Sequence, residues 1–274
     1  MLRASYWQYG RHQEKQIYIK KLSQRVEEPI MAISQMIKSI AEPGAEKLYQ
    51  AESFDNYIFR RVEVEGVYLY QQEFLLRNRR FQGFPGVHVI TPLKIKDSQE
   101  SILVSRGFIP QKLSTREHRI KFQKEIGETK IVGLIKEDSP RKFLAPRDPQ
   151  VGAGRAWVDA WLRVDITQIQ KQLPYKVLPI YLETIERPDA KGIEAEIVNS
   201  SSGKDEMLFL GASNSAIKSD SQIPDLNYPV PVFDTVIPPG RHKGYIYEWA
   251  FMAVMTLLIG VVLQLRRPNR KNAE

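Results

Sequence analysis

His242, Tyr245 and Trp249 stand at i, i+3 and i+7, so a helix that has begun by Arg241 carries all three on one face. They introduce an uncharged apolar run. An imidazole at a bilayer edge, with two aromatic rings below it, suits the ligation of a metal held in a planar, largely apolar macrocycle. The same three residues also suit a plain interfacial belt. His88 stands between Val87 and Val89, and strand alternation puts it on the face opposite those valines, either exposed or lining a groove. A hydrogen-bonded structural histidine is the other reading. Arg60, Arg61 and Arg106 offer guanidinium groups that bind carboxylates in forked geometry. The carboxylates would belong to a bound cofactor or to the sheet itself. His12 and His118 lie among charged residues and read as solvated. No two histidines have close metal-ligand spacing, so a structural zinc or a non-haem iron site is unsupported.

Other chemistries are set aside by composition and motif. The chain has no cysteine, which removes disulfides, thiolate ligands and cysteine nucleophiles. Gly152-Ala153-Gly154 lacks the third glycine of a dinucleotide fingerprint, and there is no Gly-x-Ser-x-Gly elbow. An enzyme is therefore not expected, and a membrane-bound hydrolase is a remote alternative. The net charge of +8 is spread along the chain, with a cluster at the C-terminus, and is not interleaved with aromatics. It reads as a solvated basic surface, and nucleic-acid binding is not expected.

These residues need elements to position them. From 249 to 263 no residue is charged. A helix over 245–265 would span about 31 Å, the thickness of a bilayer core. Tyr245, Tyr247 and Trp249 form an aromatic belt at one end, and Arg266, Arg267, Arg270 and Lys271 follow the other, which points the tail to the cytoplasm. Glu248 lies about one turn inside. Upstream, 13–22 and 31–41 have helical spacing, broken at Pro29 and ended by Pro43-Gly44. From about residue 57 the period becomes two, with strands expected at 67–76, 87–93, 102–109 and 130–136. Further strands are expected at 161–165, leading into a short helix capped by Asp165, and at 178–185 and 192–198. Residues 199–222 are polar and serine-rich and read as a loop, and 224–240 as an extended proline-rich lead-in to the membrane. Trp157 and Trp161 read as core packing more than as a contact surface.

Several short motifs, in order, resemble the Surfeit locus protein 1 family. They are Trp7-Gln8 with Arg11 and Lys15; Tyr57-Ile58-Phe59-Arg60-Arg61-Val62 with Gly66; and Pro85-Gly86-Val87-His88-Val89-Ile90-Thr91-Pro92-Leu93. Ile102-Leu103-Val104-Ser105-Arg106-Gly107-Phe108-Ile109-Pro110 follows, then Phe143, Pro146 and 161–165, and finally His242, Tyr245 and Trp249. The resemblance runs from residue 7 to about 265 and thins over 185–238. It implies two membrane helices enclosing an external domain, and a role in maturing the catalytic subunit of haem-copper oxidases when haem a is inserted. It also implies transient haem a binding, with His242 as iron ligand beside Tyr245 and Trp249; His88, Arg60, Arg61 and Arg106 are weaker candidates.

The expected fold class is α+β: a β-rich, antiparallel, barrel-like extracytoplasmic domain with flanking helices and a C-terminal transmembrane helix. The expected organisation is a juxtamembrane helical segment at 1–42, the domain at 43–240, the span at 245–265 and a basic tail at 266–274. A first membrane helix is expected upstream of Met1. The expected partners are the cytochrome c oxidase catalytic subunit, the haem a synthesis machinery and membrane lipid. The expected location is a bacterial inner membrane with the domain in the periplasm, in preference to the mitochondrial inner membrane. A scaffold that stabilises an oxidase intermediate without touching haem is the alternative function.

Overall fold

A computed structural model of the chain describes residues 2–42, 44–81, 84–123, 126–139, 141, 145–152, 154–185, 227–232 and 239–266. The expected strand at 192–198, the loop at 199–222, Phe143 and the tail beyond Arg266 lie outside the described residues. In chain order the elements are α1 (Leu2–Val26), β1 (Met31–Ala32), α2 (Ile33–Ala41), β2 (Arg61–Tyr68), β3 (Phe74–Phe81), β4 (Phe84–Ile95), β5 (Ser101–Pro110), α3 (Arg116–Arg119), β6 (Glu128–Glu137), β7 (Ala160–Trp161), α4 (Ile166–Ile169), β8 (Val177–Thr184) and α5 (Pro239–Leu265).

β2, β6, β8, β5 and β4 hydrogen-bond in that order, and β4 returns to β2 through Gly66↔Ile95, Val67↔Lys94 and Tyr68↔Leu93, closing a five-stranded barrel. The closing seam needs glycine at 66, because a Cβ there would lie 2.2 Å from the Lys94 carbonyl oxygen. Four of the five seams are antiparallel and β5–β8 is parallel. A ring of five strands cannot alternate direction all the way round, so one parallel seam is unavoidable. The chain between β5 and β8 supplies the long connection that a parallel pair requires. β3 continues the sheet from the outer half of β4, with β7 beside it, and β1 adds to β2.

The barrel interior holds Val62, Val64, Leu93, Ile102, Val104, Leu134 and Leu182, each 0 % exposed. α2 belongs to this same core through Ile33, Met36 and Ile40, and so do Leu22 and Val26 at the end of α1. A second layer packs Phe74, Ile90, Trp161 and Ile169 together, with Trp157 partly buried against them; Trp161 Nε1 donates to the Val158 carbonyl at 3.0 Å. Trp161 is thus a core residue, and Trp157 packs at the edge of that core. α4 begins where expected, with Asp165 Oδ1 accepting from the Gln168 amide at 3.1 Å.

The helices run further than the sequence pattern suggested. α1 is continuous for 25 residues, where helical spacing was visible only over 13–22. Its C-terminal part is fastened to the barrel. Tyr18 meets Phe59 edge-on at 4.7 Å, and Arg25 Nη1 donates to the Asp55 and Ile58 carbonyls at 2.6 and 2.8 Å. Its N-terminal part packs on α5, where Ser5 Oγ donates to the Ile246 carbonyl at 3.1 Å. α5 starts at Pro239, six residues before the expected start, since a fixed φ and a missing N–H suit proline to the first helical turn. Gly244–Leu265 is long and apolar enough to cross a membrane, and Phe251, Leu257 and Leu263 turn outward on it at 66 %, 68 % and 62 % exposure. A helix that presents its largest apolar side chains outward matches a lipid environment.

Candidate functional site

The head of α5 is where the sequence placed its main site. Tyr245, Ile246, Trp249, Ala250 and Ala253 are half-buried, while Tyr247, Glu248 and Phe251 are exposed. The half-buried positions form the stripe that α1 covers, with Ser5 against Ile246. Tyr245 and Trp249 therefore flank a helix–helix seam. His242 lies in the first turn of α5, on the same stripe by helical spacing; its side chain is outside the described residues. His12 is 9 % exposed, on the α1 face that carries Ser5 and Gln8, so it is buried in this seam region and not solvated.

The arginines have other employment. Arg60 Nε meets Glu28 Oε2 at 2.9 Å, and Arg61 Nη2 donates to the Glu28 carbonyl at 3.0 Å. Both hold the chain leaving α1 against the start of β2. Arg106 is the extra residue of a β-bulge: Val89 pairs with Gly107 and Ile90 with Ser105, leaving Arg106 between them. The bulge re-aims its side chain. Its guanidinium lies over Tyr68 and Tyr70, 5.3 and 5.1 Å from the ring centroids. Nη1 reaches Glu73 Oε2 at 3.4 Å and Nη2 donates to the Phe122 carbonyl at 2.5 Å.

Glu73 is the centre of this cluster. Its carboxylate also accepts from Thr91 Oγ1 at 3.0 Å and faces Arg119 Nε at 3.5 Å, while Arg119 Nη2 donates to Asp159 Oδ1 at 2.8 Å. Burial raises the Glu73 carboxyl above its ordinary range, opposed by Arg106, the Thr91 hydroxyl and Arg119. Gly107, at φ +126°, follows the bulge; a Cβ there would lie 2.1 Å from the Val230 carbonyl oxygen. That contact lets residues 227–232 run beside β5, with Phe108 N donating to Val230 O at 2.7 Å and the return bond at 2.9 Å. Between this strap and the barrel mouth lies a cavity of about 250 Å³, lined by Tyr68, Arg106, Lys130, Thr184, Pro229 and Pro231. Lys130 bonds Glu63 at 2.8 Å.

His88 is 2 % exposed and meets Phe108 edge-on at 6.4 Å. The alternation that would have exposed it fails, since β4 is buried on both faces from Gly86 to Leu93. Tyr245, Trp249 and His242 all lie on α5. The structure places Arg60, Arg61, Arg106 and His88 in separate structural roles. Each of the three arginines has partners within the fold, and Arg106 also lines the cavity under the strap. Glu73 and Arg119 went unnoticed in the sequence; a lone acid beside the apolar Phe74-Leu75-Leu76 was the available signal. Among the described residues no group of three or more His, Asp or Glu could hold a metal ion.

Motif order and this architecture agree with a match to the SURF1 family model over residues 1–254. The chain belongs to the SURF1 family. It is 28 % identical over 166 residues to a SURF1-like protein of Monosiga brevicollis, covering 57 % of this chain and 58 % of that one. It is 31 % identical over 105 residues to Surfeit locus protein 1 of Takifugu rubripes, covering 33 % and 43 %, and 31 % identical over 146 residues to that of Mus musculus, covering 52 % and 46 %. The chain thus spans about half the length of these relatives. As a SURF1 family member it joins a closed barrel to a helix fit to cross a membrane.

Proposed function

We propose that this chain is a membrane-anchored assembly factor for cytochrome c oxidase, acting by binding and not by catalysis. The observation that carries the reading is SURF1 family membership across 1–254, on a fold that fastens a barrel to a membrane-suited helix. In the fuller form of the proposal, haem a is held transiently at the head of α5 on its way to the oxidase catalytic subunit. His242 is the iron ligand, and Tyr245 and Trp249 supply the aromatic wall. Loose holding by one imidazole suits a carrier, which must release its cargo. Purified protein from cells making haem a should show a Soret band that shifts or disappears with His242→Ala. No band in either protein would leave the haem part of the proposal without support.

A second reading has its own observation. Arg60, Arg61, Arg106 and His88 are all engaged within the fold, which favours a scaffold that stabilises an oxidase intermediate without touching haem. On that reading His242→Ala leaves oxidase assembly unchanged, and substitutions on exposed faces of the barrel impair it. The surrounding membrane is proposed to be a bacterial inner membrane, with the barrel on the periplasmic side, as the basic residues after α5 suggest.

A further inference from the structure

The arm formed by β3 and β4 carries positive charge with no counter-charge of its own. From Phe74 to Ile95 the chain holds Arg77, Arg79, Arg80 and Lys94 and no aspartate or glutamate. Elsewhere in the fold guanidinium groups meet carboxylates: Arg60 meets Glu28, Arg106 and Arg119 meet Glu73, and Arg163 meets Asp148 at 2.8 Å. Arg77 and Arg80 meet none among the described residues. Arg77 is half-buried, and its Nε is enclosed without an acceptor. Arg79 Nη1 donates to the Arg77 carbonyl at 3.2 Å, and Arg80 is exposed. An enclosed donor on a charged group is costly while it lacks an acceptor, and an oxyanion supplied from outside would remove that cost. The same stretch is an open edge. β7 pairs with β3 only at Leu75 and Leu76, while β4 holds the other side as far as Phe81. From Arg77 to Phe81 the outer edge of β3 has no strand beside it among the described residues. A bulge falls between Leu76 and Arg79, with Asn78 at φ 61°. Charge and bulges on an edge discourage strands from pairing there. Arginines do so selectively: they repel a cationic strand and favour one that brings carboxylates.

We propose that the outer edge of β3, from Arg77 to Phe81, is the docking site for an extended acidic segment of a partner protein. The segment adds as a strand, with its backbone on the open edge and its carboxylates on Arg77 and Arg80. Guanidinium groups take carboxylates in forked geometry, so each arginine fixes the register of one acidic residue. The half-buried Phe81, whose ring lies 5.6 Å from that of Phe108, offers an apolar contact at the end of the edge. An anionic lipid surface would match the charge but would leave the unpaired backbone groups of the edge unused, which favours a peptide. The inference goes beyond the oxidase reading. It rests on the barrel alone and stands whether or not haem is handled.

The test uses the full chain in phosphatidylcholine nanodiscs and a fluorescein-labelled peptide, Thr-Glu-Val-Glu-Val-Glu-Thr, followed by fluorescence anisotropy. A second peptide of equal charge, with proline in place of both valines, cannot pair as a strand. The expected result is micromolar binding of the first peptide and several-fold weaker binding of the second. The double variant Arg77→Gln with Arg80→Gln should weaken the first peptide about tenfold, the effect of losing a charge-assisted hydrogen bond. Arg80→Gln alone, at an exposed position, should weaken it several-fold and keeps the test open if the double variant does not fold. Amide exchange over 77–81 should slow when the first peptide is added. The proposal is overturned if the first peptide does not bind, or binds equally well to the folded variants. It is also overturned if the proline peptide binds as tightly and 77–81 gain no protection, since charge alone would then account for binding. Protection of 77–81 by phosphatidylglycerol in the disc, with none from the peptide, would assign the edge to a lipid surface and overturn it as well.

Discussion

Glu73 faces two buried guanidinium groups, and each neighbour constrains what a substitution does. Removing Arg106 with Arg106→Leu takes away the strongest cation opposing burial of the Glu73 charge. The expected loss is about 3–5 kcal/mol at neutral pH, the usual cost of breaking a buried ion pair, and denaturant unfolding measures it. The pH dependence has a definite sign. The folded state holds the Glu73 proton more tightly than the unfolded chain, so this group's contribution is largest below the ordinary carboxylate range. It is lost as pH rises through the raised folded value. Glu73→Gln should flatten that part of the stability–pH curve, and an unchanged slope would contradict the assignment. At Gly107, Gly107→Ala meets both a positive φ and the Val230 carbonyl. An expected cost of about 1–3 kcal/mol should come with faster amide exchange at Phe108 and Val230. The sequence showed Arg106 and Gly107 as neighbours in a strand. It could not show the bulge, which is a mismatch of register between two strands. Hence the sequence could favour a sheet ion pair for Arg106 over a cofactor ligand without naming Glu73 as the partner.

α1 couples the membrane side of the molecule to the barrel. Arg25 ties its end to the Asp55 and Ile58 carbonyls, and Arg60 and Arg61 grip Glu28 just beyond it. Arg25→Ala should loosen this joint, with faster hydrogen exchange in the last turns of α1 and little change in the strands. A uniform change across the barrel would contradict a local fastening role. Strands were the most legible elements: β4, β5, β6 and β8 each fall within a few residues of the expected positions, because alternation and β-branched side chains mark them. The run at 67–76 was read as one strand and is two, separated by a turn at Tyr70–Gln72. The N-terminal half of α1 was illegible for a different reason. It has no continuous apolar stripe, and its partner is a helix more than 200 residues later in the chain. His12 reads as solvated from its charged sequence neighbours, yet it is 9 % exposed in the structure.

The described residues form a closed barrel fastened to α1, with a membrane-suited helix packed beside the N-terminal turns of α1. The barrel class and the terminal span were readable from periodicity and length, whereas the parallel seam follows from closing an odd number of strands. The candidate site was readable only as a helix face. How that face meets α1 depended on the packing. Membership of the SURF1 family is what directs the proposed function to oxidase assembly. The most direct test is the reduced-minus-oxidised spectrum of membranes from cells lacking this chain, compared with cells in which it is restored. The account expects the haem a-type oxidase signal to fall in its absence and to return with the intact chain. A full oxidase signal in cells without the chain would contradict it.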